Sequence, residues 1–124
     1  MITIIVDYKS VEDKTISQVH FSGHAGYADI GHDIICSAVS VLLFTAINSI
    51  EEIVGINNFY RILEGNDNEV NASIFVPEDL QLDEDKSRDV QLLLRSMLIG
   101  LDAVKTSYRD EENNEEYIEI IYSK

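Results

Sequence analysis

The sequence predicts an α+β fold in the order ββαββαβ, a sheet with two helices packed on one face. Three observations carry this expectation. Short apolar runs with strand-like alternation lie at both ends and in the middle of the chain. Two longer segments hold apolar residues at helical spacing. Polar or glycine-bearing turns separate them, and grouped strands with intervening helices are the mark of an α+β layer architecture. The 124 residues read as a single domain, 1–124, with no repeat, low-complexity tract or inter-domain linker.

Each element has its own signal. Ile2, Ile4 and Val6 alternate with Thr3, Ile5 and Asp7, which predicts a first strand over residues 1–8. After a polar turn at Lys9 to Lys14, Ile16 to Gly23 form a second strand, with Val19 and Phe21 on one face, pairing with the first as a hairpin. Residues 24–32, with Gly26 and Gly31 and no clear period, read as a loop. Asp33 is a good N-cap and Gly55 a good C-terminal stop, so the first helix is placed from Ile34 to Val54. Asn57 to Glu64 and Glu69 to Val76 flank the turn Gly65-Asn66-Asp67-Asn68 as a second hairpin, which Pro77 ends. An acidic connector, Glu78 to Lys86, leads to a second helix over Ser87 to Ser107, whose Val90, Leu93, Leu94, Met97, Leu98 and Leu101 share a face. Gly100 inside it marks a close helix contact. Residues 110–116 read as an acidic linker before a last strand, Tyr117 to Tyr122.

Composition excludes several functions. One cysteine rules out an intramolecular disulfide framework and any all-thiolate zinc or iron–sulfur site within the chain. Nine basic residues against 23 acidic ones give a net charge of −14, opposite to the footprint of a nucleic-acid binder. Such a field repels nucleic acid and anionic membranes and attracts cationic partners. The uncharged run Ile34 to Ile50 is short for a span, carries Cys36, Ser37, Ser40, Thr45 and Asn48, and is flanked by Asp33, Glu51 and Glu52. The N-terminus has no basic region of the signal-peptide type. The expectation is a buried helix in a soluble cytoplasmic protein.

The segment that carries chemistry is Gly23 to Ser40, GHAGYADIGHDIICSAVS. With Asp33 as N-cap, Cys36 falls in the first helical turn, where free backbone N–H groups and the helix dipole favour a thiolate. His24 lies upstream across a glycine-bounded loop that could fold back to the helix terminus. A Cys–His pair is the minimal activated nucleophile, and helix-terminal N–H groups near the sulfur could serve an oxyanion. On composition alone, a single cysteine in an apolar run is more often a small core residue.

The same run resembles the motif of the ribosomal-processing cysteine proteases, the Prp family. Gly23-His24-Ala25, then Gly31-His32-Asp33-Ile34-Ile35-Cys36, then Ser40 match it, and the resemblance extends through the two hairpins and both helices. Departures fall in the acidic stretch Asp110–Glu116 and the connector Leu82–Asp85, away from the motif. The resemblance implies a cytoplasmic homodimer with Cys36 as nucleophile and His24 as general base. It also implies a substrate: a short N-terminal extension on large-subunit ribosomal protein number twenty-seven, cut after a hydrophobic, Phe-rich stretch. An acidic enzyme acting on a basic ribosomal protein is electrostatically consistent. No cofactor is implied.

Four further residues are read as supporting or substrate-lining. Asp33 is either the helix N-cap, the favoured reading, or a carboxylate orienting His24 as a third triad member. Ser40 shares a helix face with Cys36, and either lines the site or bonds back to a carbonyl one turn earlier. Gly23 and Gly31 allow positive φ or a close approach, and Gly26 a hinge. Tyr27 is placed to meet an aromatic substrate stretch. His20, His24, His32 and Cys36 do not read as a metal site. Four-residue spacing at the end of a strand separates ligands by about 13 Å, so His20 and His32 are taken as surface or loop residues. The alternative function is a non-catalytic acidic dimer that binds a basic ribosomal protein, with Cys36 packed in the core.

Overall fold

The computed structural model describes residues 1–24, 30–63, 69–110 and 115–123. Strands β1 (Ile2–Tyr8) and β2 (Ile16–His24) are followed by helix α1 (Ile30–Ser49), which continues into a π-helical turn, Ile50–Val54. Next come β3 (Tyr60–Ile62), β4 (Glu69–Phe75), a 3₁₀ turn at Glu78–Leu82 and helix α2 (Glu84–Ser107). The chain closes with β5 (Arg109–Asp110), β6 (Glu115–Glu116) and β7 (Ile118–Ser123).

The expected ββαββαβ order is present, with a small β5–β6 ladder added. The main sheet has five strands in the order β3-β4-β2-β1-β7. The two expected pairings form: β1 with β2, and β3 with β4, both antiparallel. β7 lies parallel to β1, with Ile2 opposite Ile118 and Ile4 opposite Ile120. β4 is antiparallel to β2. Hence α1 crosses from β2 to the parallel β3, and α2 crosses from β4 to the parallel β7. Strands that run the same way in one sheet cannot be joined by a tight turn and need such crossovers, which is why the helices cover a sheet face rather than an end.

That face is the core. Ile2, Ile4, Val6, Val19 and Phe21 are buried at every second strand position. Ile35, Val39, Leu43 and Ala46 of α1 meet them, as do Val90, Leu94, Met97 and Leu101 of α2. The segment Ile34–Val54 is long and apolar enough to cross a membrane. In this fold its buried stripe packs on the sheet and on α2. A Cβ on Gly100 would lie 2.8 Å from Cδ2 of Leu42, so the close helix contact expected there is real.

Both helices differ from expectation at their starts. α2 begins at Glu84 rather than Ser87, because Asp83 caps it: its carboxylate accepts from the Lys86 N–H at 3.1 Å. Gln91 then clamps α2 to β2, accepting from the Ile16 N–H and donating to the Ile16 carbonyl, both at 2.8 Å. The first helix ends as expected, with Gly55 left-handed at φ 82° and its N–H on the Ile50 carbonyl. Part of the stretch expected to be a linker at residues 110–116 pairs as strand, Arg109 with Glu116 and Asp110 with Glu115. Acidic residues are poor strand formers, so composition hid this ladder.

Candidate active site

β2 delivers His24. Its last residues are held on both sides: Gly23 pairs with Ile2 of β1 and Val70 of β4, and His24 pairs with Glu69. Gly23 adopts φ +124°, and a Cβ there would lie 2.2 Å from the Met1 carbonyl oxygen. Only glycine fits such a close approach. The expected need for glycine at this position is therefore met by a specific contact. Residues 25–29, including Gly26 and Tyr27, lie outside the described residues, so the readings placed on those two do as well.

α1 delivers Cys36, and here the sequence expectation needs correction. The helix begins at Ile30, so Gly31, His32 and Asp33 lie within it rather than in a loop or at its cap. Asp33 is the fourth helical residue and is not the N-cap. Cys36 is the seventh, in the second turn. A backbone N–H at that depth bonds to a carbonyl four residues back, and the dipole's influence fades within the first turn. Helix-terminal stabilisation of the thiolate and an oxyanion hole from free helical N–H groups both lose their basis. The missed signal is the tolerance of a helix for glycine: Gly31 costs about 1 kcal/mol against alanine, which neighbouring packing can offset.

Cys36 is half-buried, on the flank of α1 next to the fully packed Ile35 and Val39. It is therefore neither a core cysteine nor a freely exposed one. Ser40 lies one turn further on, also half-buried. Among the described residues its hydroxyl has no hydrogen-bond partner, so it does not bond back to the Cys36 carbonyl. The helix face turned away from the core exposes Val41 and Phe44. Beyond β4, the edge strand β3 exposes Tyr60 and Ile62, with Leu63 following. Apolar surface thus lies on the same helix as Cys36 and at the sheet edge that α1 crosses over.

His20 sits within β2, inside the strand expected over Ile16 to Gly23. Its Nδ1 is hydrogen-bonded to the Ser73 hydroxyl of β4, on the sheet face opposite the helices. That bond occupies the imidazole locally. No group of three potential metal ligands occurs among the described residues.

Comparison with known proteins agrees with this architecture. The family model described as cysteine protease Prp matches residues 1–113. The ribosomal processing cysteine protease Prp of Bacillus subtilis is 29% identical over 98 residues, covering 79% of this chain and 83% of that protein. Its counterpart in Staphylococcus aureus is 27% identical over 107 residues, covering 86% and 92%. The crystal structure of the S. aureus protease with a covalently linked product peptide superposes with a TM-score of 0.66 at 26% identity, covering 98% of this chain and 99% of that one. A Streptococcus mutans protein shares the fold, with a TM-score of 0.71 at 24% identity over 98% and 95% of the two chains. With the family model spanning nearly the whole chain and the fold in agreement, the chain belongs to the cysteine protease Prp family.

Proposed function

We propose that this chain is a cysteine endopeptidase that removes the short N-terminal extension of large-subunit ribosomal protein number twenty-seven, working as a cytoplasmic homodimer. One observation carries the catalytic assignment. The chain belongs to a cysteine protease family and has a single cysteine, Cys36. The nucleophile of a cysteine protease must be a cysteine thiol, so the role falls to that residue. Its half-buried position on α1, beside a hydroxyl with no described partner, suits a thiol that a peptide must reach.

His24 is the general base. The resemblance of Gly23-His24-Ala25 to the family motif supports this role; His24 closes β2 six residues before α1 begins, whereas His20 is engaged with Ser73 on the far face of the sheet. In the reaction, His24 takes the thiol proton as sulfur bonds to the scissile carbonyl carbon. Collapse of the tetrahedral intermediate breaks the C–N bond, and the imidazolium protonates the leaving amine. A water, deprotonated by His24, then attacks the thioester. The peptide carboxylate leaves and the thiol is restored. Ser40 lines the site, and the exposed Val41 and Phe44 offer apolar surface to the hydrophobic stretch before the cut. The net charge of −14 draws in a basic precursor.

Two structures of the S. aureus protease, one with a product peptide and one with a substrate peptide, support the peptide-cutting reading. The test is cleavage of a peptide spanning the N-terminus of the ribosomal protein from the same genome. Wild type cuts it, and Cys36→Ala and His24→Ala do not, with unchanged circular dichroism. A Cys36→Ala protein that still cuts overturns the assignment. A wild-type thiol inert to alkylation at neutral pH, with no cleavage, overturns the peptidase reading, and retention of the basic precursor by that protein then marks the binding module.

A further inference from the structure

Away from the peptidase site, a cavity of about 620 Å³ opens between α2 and the C-terminal ends of β1 and β7. It lies beside Ile16, at the start of β2, whereas His24 ends that strand roughly 26 Å away at an ordinary strand rise. The volume is in the range that holds small organic ligands, commonly about 300–1,000 Å³.

Its lining has three chemically distinct parts. The buried Ile16 and Leu98 make an apolar floor. Tyr8 and Tyr122 form an aromatic wall, their rings stacked at 5.8 Å between centroids with planes 14° apart. Tyr122 is 53% exposed, so the stack is open to a further ring. Lys14 and Arg95 supply two positive charges, and Asp102, one helical turn pair beyond Arg95, a single acceptor.

The charges are the informative part. The chain has 9 basic residues against 23 acidic ones, so a cation here has many carboxylates to choose from. Arg88, on the same helix, pairs with Asp85 and Asp89. Among the described residues, Lys14 and Arg95 have no ion-pair or hydrogen-bond partner. The overall field opposes an anion, and two unmatched cations in one cavity reverse it locally.

We propose that this cavity binds a small anion built on a planar aromatic ring. The ring stacks on the Tyr8–Tyr122 pair over the apolar floor, and the acidic group is held by Arg95 and Lys14. A guanidinium grips a carboxylate or a phosphate with two parallel N–H bonds, so either acid satisfies the site. This site stands independently of the peptidase reading, since it shares no residue with Cys36, His24 or Ser40.

The experiment is an amide-resonance titration of the full ¹⁵N-labelled chain with naphthoate and with naphthyl phosphate. The controls are naphthalenemethanol as the neutral ring and inorganic phosphate as the bare anion. Saturable shifts at residues 14–16, 95–102 and 122 are expected for the ring-bearing anions, and the tighter of the two identifies the acid. Arg95→Ala combined with Lys14→Ala, both exposed positions, weakens binding at least about tenfold, equivalent to roughly 1.4 kcal/mol. Tyr122→Ser gives a parallel loss from the ring side. Shifts that are absent, fall elsewhere, persist in the double variant or are matched by the neutral ring overturn the proposal. So do shifts at the same amides on dilution without ligand, which mean that a second copy of the chain fills the cavity.

Discussion

The carbonyl oxygen of Met1 occupies the space that a side chain on Gly23 would need, 2.2 Å from where its Cβ would stand. The obstacle is backbone held in the β1–β2 ladder, where Ile2 pairs with Gly23, so it cannot step aside as a flexible side chain would. The first strand therefore dictates the residue that immediately precedes His24.

Gly23→Ala should combine a strained φ with a backbone clash, costing about 2–4 kcal/mol. Chemical denaturation measures the loss, and cleavage should fall beyond the change in folded fraction because His24 follows directly. Gly55→Ala is the control. Its φ of 82° is also left-handed, but nothing lies within 4 Å of the added Cβ. It should cost about 1–2 kcal/mol with cleavage per folded molecule unchanged. Equal effects on cleavage from the two variants would refute a positional role for Gly23.

Gly100 and Leu42 mark the crossing of the two helices. The atoms nearest a new Cβ are the Leu42 methyl groups, at 2.8 and 3.2 Å, on a half-buried side chain that can turn. Gly100→Ala should be close to neutral, since the helix-propensity gain of about 1 kcal/mol offsets repacking. Gly100→Val should destabilise by about 2 kcal/mol or more, because branching at Cβ leaves Leu42 no room. Thermal unfolding of the two variants checks the difference.

Asp33 is the fourth residue of α1, past the cap position and at the end of the first turn. Asp33→Asn should leave turnover close to normal and cost about 0.3–1 kcal/mol through the lost charge. A hundredfold fall in kcat with KM unchanged would instead make Asp33 the carboxylate that orients His24.

Tyr122 ionises above the ordinary tyrosine value of 10.0, because burial, then the neighbouring Tyr8 and Asp102, disfavour its phenolate. A group raised in the folded state favours folding fully below its unfolded pKa, and this contribution is lost as pH rises through the folded value. Stability should therefore decline above pH 10 in wild type, and less steeply in Tyr122→Phe. Denaturation midpoints between pH 9 and 11 test this, and identical slopes would reject it.

Much of this protein was readable from residue patterns because the causes are local. Ile2, Ile4 and Val6 alternate because a strand with one packed face must, and the Val90-to-Leu101 stripe repeats because α2 buries one side. Gly55 stopped the first helix as expected because a left-handed residue ends a helix wherever it falls. The start of that helix lies earlier than its local signals indicate. Asp33 has the side chain of a cap and Gly31 that of a breaker, yet both were absorbed into α1, as weak local preferences are when packing favours a longer helix.

Element order, buried faces, the lone cysteine and the family motif are all written in the residue pattern. Tertiary structure alone decided the neighbours: β7 beside β1 in parallel, β4 between β3 and β2, and Lys14 brought to Arg95 across one cavity. The physical reason is that periodicity reports which side of an element avoids water. It carries no record of which distant element supplies the contact, and that is settled only when all the buried faces must fit together at once.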